Sequence, residues 1–165
     1  ADLGGRQPVT AGDVIAALGA TPVQMPAGEI YNSLQTGLID GVITGASAIG
    51  DFKLDEVANS YTLNAPLGHI SFYVVMNQAK YDSLPDDQKA AIDSIAGREL
   101  SKSAEEGWYA RANSVIEEIS AMDDNTVYTL TDEERAAFEE LTYPIRDNVV
   151  AEVGGEEVLA TMRGE

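Results

Sequence analysis

From Pro85 to about Ser120 the chain runs without a further proline, and its apolar residues fall on one helical face. Ile92, Ile95, Leu100, Ala104, Trp108, Ala112, Val115, Ile116 and Ile119 recur at spacings near three and four, the period of a helix packed along one side. Pro85 suits the first helical position, and Asp86 and Asp87 suit the positive end of the helix dipole. An unbroken helix of that extent is roughly 50 Å long at about 1.5 Å per residue. A compact chain of 165 residues has a radius of gyration of only about 15 Å. Either Gly97 or Gly107 therefore breaks the helix, or the helix runs past one lobe to serve another.

The segment from Ala17 to Lys53 reads as strand, helix, strand and polar loop. Thr21 to Met25 is a short run with a β-branched centre, and Pro26-Ala27-Gly28 is a connection of turn formers. Glu29 to Thr36 carries Ile30, Tyr31 and Leu34 at helical spacing, and Gly37 stands where a left-handed cap is expected. Asp40-Gly41 is a turn before the apolar pair Val42-Ile43, which leads into Thr44-Gly45-Ala46-Ser47. Strands joined through a helix form the βαβ unit of an open sheet, and such sheets bind ligands at the carboxyl ends of their strands.

Elsewhere, Val14 to Leu18 predicts a short helix with Thr10 as its N-cap and Gly19 at its end. Phe52 to Ala58 reads as a short helix or turn. Leu67 to Asn77 holds the longest β-like run, almost continuously apolar through Ile70, Phe72, Tyr73, Val74 and Val75, as in a strand covered on both faces. Thr126 to Leu130 alternates like a strand. Thr131-Asp132-Glu133-Glu134 is a capping box that starts a helix to about Thr142, where Pro144 marks a new turn or another helix. Ile145, Val149, Val150 and Val153 continue an apolar stripe before Gly154-Gly155 and an acidic tail.

Formal net charge is -18, which argues against nucleic acid and anionic lipid as partners, because both would be repelled. With 44% hydrophobic and 23% charged residues, the composition is that of a globular chain. No apolar run approaches the roughly 20 residues that span a bilayer. An N-terminal secretion signal is not present either, so an exported protein would carry it outside this chain. There is no cysteine and one histidine, His69. A thiol nucleophile and a zinc-anchoring pair of histidines are thereby excluded. Neither a phosphate loop nor a dinucleotide fingerprint occurs. Asp123-Asp124-Asn125 lacks the spacing of a calcium loop and reads as the polar end of a helix. The expectation is a non-enzyme with no metal and no cofactor.

Four strings carry a family resemblance: G-A-T-P-V-x-M-P from Gly19, E-I-Y-x-S-L-Q-x-G-x-I-D-G from Glu29, A-I-G-D-F-K-L-D-E from Ala48 and F-Y-V-V-M-N from Phe72. They resemble the substrate-binding proteins of tripartite ATP-independent periplasmic (TRAP) transporters, and the likeness runs from about Leu18 to the last helix. The resemblance implies a periplasmic-binding-protein-like α/β fold. In it, an open mixed sheet is flanked by helices, and one long helix is shared with a second lobe. Residues 1–66 and 106–165 would form the C-terminal lobe. Residues 67–105, the crossover strand and first half of the long helix, would reach toward an N-terminal lobe that this chain lacks. In its absence the chain should dimerise through these elements, swap them between copies, or need the missing lobe.

The implied function is extracytoplasmic, periplasmic capture of a small organic anion, a carboxylate, for the membrane permease subunits of a secondary transporter. A ligand-sensing or interaction module on the same fold is the alternative. Family members place an Arg in an early strand, where its planar fork takes the ligand carboxylate. Arg6 is the candidate here, although its strand is shortened, and the other reading is a solvated arginine at a frayed terminus. His69 would face the cleft or be a hydrogen-bonded structural residue. Phe72 would be cleft wall or core. Thr44, Gly45 and Ala46 stand where some relatives carry larger residues, and Ala27 where some carry a phenylalanine. Together these small residues imply a different or larger ligand.

Overall fold

The computed structural model describes residues 11–68 and 71–164. The described chain is mostly helical. Eight α-helices span Ala11–Ala17 (α1), Ala27–Gln35 (α2), Ala46–Asp51 (α3), Gln78–Asp82 (α4), Asp86–Ile95 (α5), Arg98–Ser120 (α6), Asp132–Val153 (α7) and Glu156–Arg163 (α8). A single 3-10 turn occupies Leu54–Glu56, and two short strands occupy Ser60–Leu63 (β1) and Thr126–Thr129 (β2). The chain divides into two units: 1–43, 56–68 and 124–165 form the first, and 44–55 and 69–123 the second.

In the first unit, β1 and β2 pair in parallel, with Ser60 opposite Thr126 and Leu63 opposite Thr129. Backbone bonds extend the ladder at both ends, from Thr126 N to Asn59 O at 2.8 Å and from Leu130 N to Leu63 O at 3.4 Å. Tyr61 and Leu130 are buried here. α7 starts at the capping box read from the sequence. Thr131 Oγ1 accepts from Glu134 N at 3.3 Å, and Glu134 Oε2 accepts from Thr131 N at 2.9 Å. Tyr128 adds its hydroxyl to the same carboxylate at 2.7 Å. The helix does not stop near Thr142 as expected but runs through Pro144. Proline deprives the Glu140 carbonyl of its helical donor; Glu140 is exposed, so water can take that place. Thr142 is buried, and its hydroxyl reaches Phe138 O at 2.9 Å and Pro66 O at 3.2 Å. Gly154, left-handed at φ 65°, ends α7, and the expected acidic tail is in fact α8.

In the second unit, the long helix is broken at Gly97. Its φ of 74° and ψ of -128° form a conformation that only glycine adopts without strain. Gly107 stays inside α6, whose 23 residues make about 34 Å at 1.5 Å per residue. Val115 and Ile119, one turn apart, are each 1% exposed, and Ile49 and Leu54 are buried in the same unit. α3 lies against α6. Gly50 permits that approach: a Cβ there would collide with Arg111 Nη2 and lie 3.0 Å from Val115 Cγ2. Arg111 then bonds Asp51 at 3.2 Å and Glu118 at 3.5 Å.

Three expected strands are not strands. Residues 21–25, 42–43 and 71–77 carry no regular structure. A β-run needs a backbone ladder to become a strand, and among the described residues the only ladder joins Ser60–Leu63 to Thr126–Thr129. The apolar character remains and is left open: Val74 is 82% exposed and Val75 86%. Among the described residues the open mixed sheet is thus reduced to one two-stranded parallel pair, and its first strand, Ser60–Leu63, carries no strong pattern in the sequence. The polar loop expected after Ile43 ends within three residues, because Ala46 already begins α3.

Candidate functional site

Of the residues singled out in the sequence, Arg6 and His69 lie outside the described residues. Ala27 opens α2 in the first unit and is exposed. The same helix presents Tyr31, whose hydroxyl donates to Glu56 Oε2 at 2.8 Å. That hydrogen bond to a carboxylate holds the Tyr31 phenol above its usual range, with desolvation and the Glu56 charge adding to the effect.

Thr44, Gly45, Ala46 and Phe72 all belong to the second unit, and a chain of contacts links them. Gly45 is the N-cap of α3 and Ala46 its first residue; Thr44 and Gly45 are exposed, Ala46 half-buried. The next residue, Ser47, is only 5% exposed. Its Oγ accepts a hydrogen bond of 2.9 Å from Trp108 Nε1 on α6. Trp108 in turn stacks on Phe72, with ring centroids 4.3 Å apart and planes 25° from parallel. The small polar run 44–46 and the apolar residue 72 are therefore brought to one corner of the unit by Ser47 and Trp108.

Neither intermediary was identified from the sequence. Trp108 falls on the apolar face of the long helix and reads there as core, yet it is 48% exposed. The indole N–H of a packed tryptophan needs an acceptor, and that need was the available signal. The acceptor sits 61 positions away in sequence, which no local pattern reaches. Phe72, weighed as core or wall, is 63% exposed and so is not core.

Thr44–Ser47, Phe72 and Trp108 together make up this corner. It offers two aromatic faces, one buried hydroxyl and exposed small residues. The nearest cation on α6, Arg111, is one turn beyond Trp108 and already engaged by Asp51 and Glu118. Among the described residues no group of His, Asp and Glu side chains is placed to hold a metal ion. No helix among them is long and apolar enough to cross a membrane.

Comparison with known proteins decides the family. Residues 6–152 match the DctP family, described as bacterial extracellular solute-binding protein, family 7. The chain belongs to this TRAP-type family. It is 32% identical over 152 residues to the C4-dicarboxylate-binding periplasmic protein DctP of Rhodobacter capsulatus, covering 87% of this chain and 43% of that protein. It is 28% identical over 151 residues to the ectoine-binding periplasmic protein TeaA of Halomonas elongata, covering 90% and 44%. Among solved structures, it resembles a TRAP periplasmic solute-binding protein from Bordetella bronchiseptica with bound (R)- and (S)-mandelate. There the TM-score is 0.79 and the identity 26%, over 94% of this chain and 51% of that one. The family 7 chain thus spans about half the length of the relatives it matches. The family consists of solute-binding proteins, not enzymes, and these relatives are periplasmic.

Proposed function

We propose that this chain takes part in capturing a small organic acid in the periplasm for a TRAP-type permease, without covalent chemistry. The observation that carries the reading is the family match over 6–152. The open aromatic and polar corner at Thr44–Ser47, Phe72 and Trp108 supports it. In this reading Arg6 receives the carboxylate in two parallel hydrogen bonds. Thr44, Gly45 and Ala46 leave room for the body of the ligand. His69 and Phe72 line it, and residues 67–105 are the part that meets a second lobe. The permease subunits are the partner to which the solute passes. Relatives that bind a C4-dicarboxylate and mandelate set the range of acids to try.

The test is a thermal-shift screen of the full chain against aliphatic dicarboxylates, aromatic monocarboxylates, zwitterions such as ectoine, and neutral sugars. A ligand at 100 times its Kd adds about 2.7 kcal/mol of stability, which for a chain of this size raises Tm by several degrees. The expected result is a shift with one class of acid and none with sugars. A shift confined to sugars, or none with any acid up to millimolar concentration, would refute the reading. Thr44→Trp should fill the pocket from one wall and abolish or narrow binding while the fold is kept. Equal binding by that variant would move the site elsewhere.

A further inference from the structure

We propose that Trp108, latched by Ser47 and stacked on Phe72, is the selectivity element of the site and favours acids that carry a flat aromatic ring. The inference rests on the receptor reading above and adds two residues and a ligand class to it. The rings are fixed from beneath and open from above. Ser47 is 95% buried, whereas Trp108 and Phe72 are 48% and 63% exposed. The 2.9 Å bond from Nε1 to Ser47 sets the plane of the indole. A platform already ordered in this way loses little conformational freedom when a ligand settles on it.

The geometry also selects the class. Planes only 25° apart at 4.3 Å between centroids form a near-parallel stack, so a third ring can continue it on an outer face. Offset stacking of that kind adds to simple burial; a saturated ring of the same size gains the burial alone. Nothing bulky stands in the adjoining run, where Thr44, Gly45 and Ala46 are small. Arg111 does not compete for the acid group, since Asp51 and Glu118 occupy it. The charge of the ligand is therefore met away from this corner and its ring within it.

The experiment compares phenylacetate, cyclohexylacetate and succinate on the full chain. Trp108 is the only tryptophan, so its emission reports the platform directly, and calorimetry gives affinity independently. Phenylacetate should bind about three- to tenfold more tightly than cyclohexylacetate, the range that one aromatic stack supplies, and should change Trp108 emission. Trp108→Leu should bring the two acids to parity. Should that variant lose its far-UV circular dichroism, Phe72→Leu, which keeps the reporter, should narrow the same ratio. Ser47→Ala should lower the preference for phenylacetate by freeing the indole. If the wild-type protein binds all three acids equally with Trp108 emission unchanged, the platform is refuted while the receptor reading stands. A ring preference that survives both Trp108→Leu and Phe72→Leu would also overturn it. If none of the three acids binds, the platform is refuted, and the wider screen decides the receptor reading separately.

Discussion

Replacing Gly50 by alanine should destabilise the second unit, although alanine is the better helix former. In a free helix the exchange gains up to about 1 kcal/mol. At Gly50 the new methyl would meet Arg111 Nη2 within contact distance and Val115 Cγ2 at 3.0 Å. The guanidinium is the end of a flexible side chain and can swing aside. Doing so breaks its contact with Asp51, and an exposed pair of that kind is worth about 0–1 kcal/mol. Val115 cannot move as easily, being 1% exposed, and overfilling a packed contact costs about 1–3 kcal/mol. The clash wins, and the net loss should be about 1 kcal/mol, rising toward about 3 kcal/mol for Gly50→Val. Gly107 is the internal control. It lies in the middle of α6 with nothing within 4 Å of its would-be Cβ, so Gly107→Ala should stabilise by about 0.5–1 kcal/mol. Urea unfolding followed by Trp108 emission and by far-UV circular dichroism reads both. If Gly50→Ala raises the midpoint as Gly107→Ala does, α3 does not approach α6 as described.

Val115→Ala should cost about 2 kcal/mol, the loss of two buried methylene equivalents plus the cavity left behind, measured by the same unfolding curve; a loss under about 0.5 kcal/mol would remove Val115 from the core. Thr131→Ala should weaken α7 by about 1 kcal/mol through loss of its cap, seen as reduced helical signal and a lower midpoint, and an unchanged midpoint would speak against the capping box. The Glu134 carboxyl is held below its usual range by the Thr131 N–H first, then by the hydroxyls of Tyr128 and Thr131. Its folded pKa is the lower one, so its contribution is present above the unfolded carboxylate value and fades as pH falls through the folded one. The stability gap between wild type and Glu134→Gln should therefore close in acid, and a constant gap down to pH about 2 would contradict this. Residues 72–76 expose a row of large apolar side chains, a surface prone to self-association. Replacing Val74 and Val75 together by lysine should lower the concentration-dependent mass in light scattering, and an equally associating double variant would place the contact elsewhere.

How far the sequence reaches can be judged residue by residue. Local patterns fixed what depends on local physics. The capping box at Thr131 and Glu134, the left-handed Gly37 after α2, and the helix around Val14 are set by neighbours within a turn, and each is found where it was read. The long helix was legible as a choice between two glycines; only the backbone angles of Gly97 show which one breaks it. The family, too, was legible, because its strings lie along the chain in order. Strand identity was not. Thr21–Met25 and Leu67–Asn77 have the composition of strands, but a strand exists only with a partner, and pairing is decided by distant chain. Ser60–Leu63, a weaker pattern, became β1 because β2 lies beside it. The same holds for the site. The family resemblance singled out Thr44, Gly45, Ala46 and Phe72, and the structure sets them beside Ser47 and Trp108. Ser47 and Trp108 acquire their roles only when α3 packs on α6, through a hydrogen bond between residues 61 apart. Secondary structure follows from interactions within a turn or two, whereas the surface offered to a ligand is made of side chains that only tertiary packing brings together.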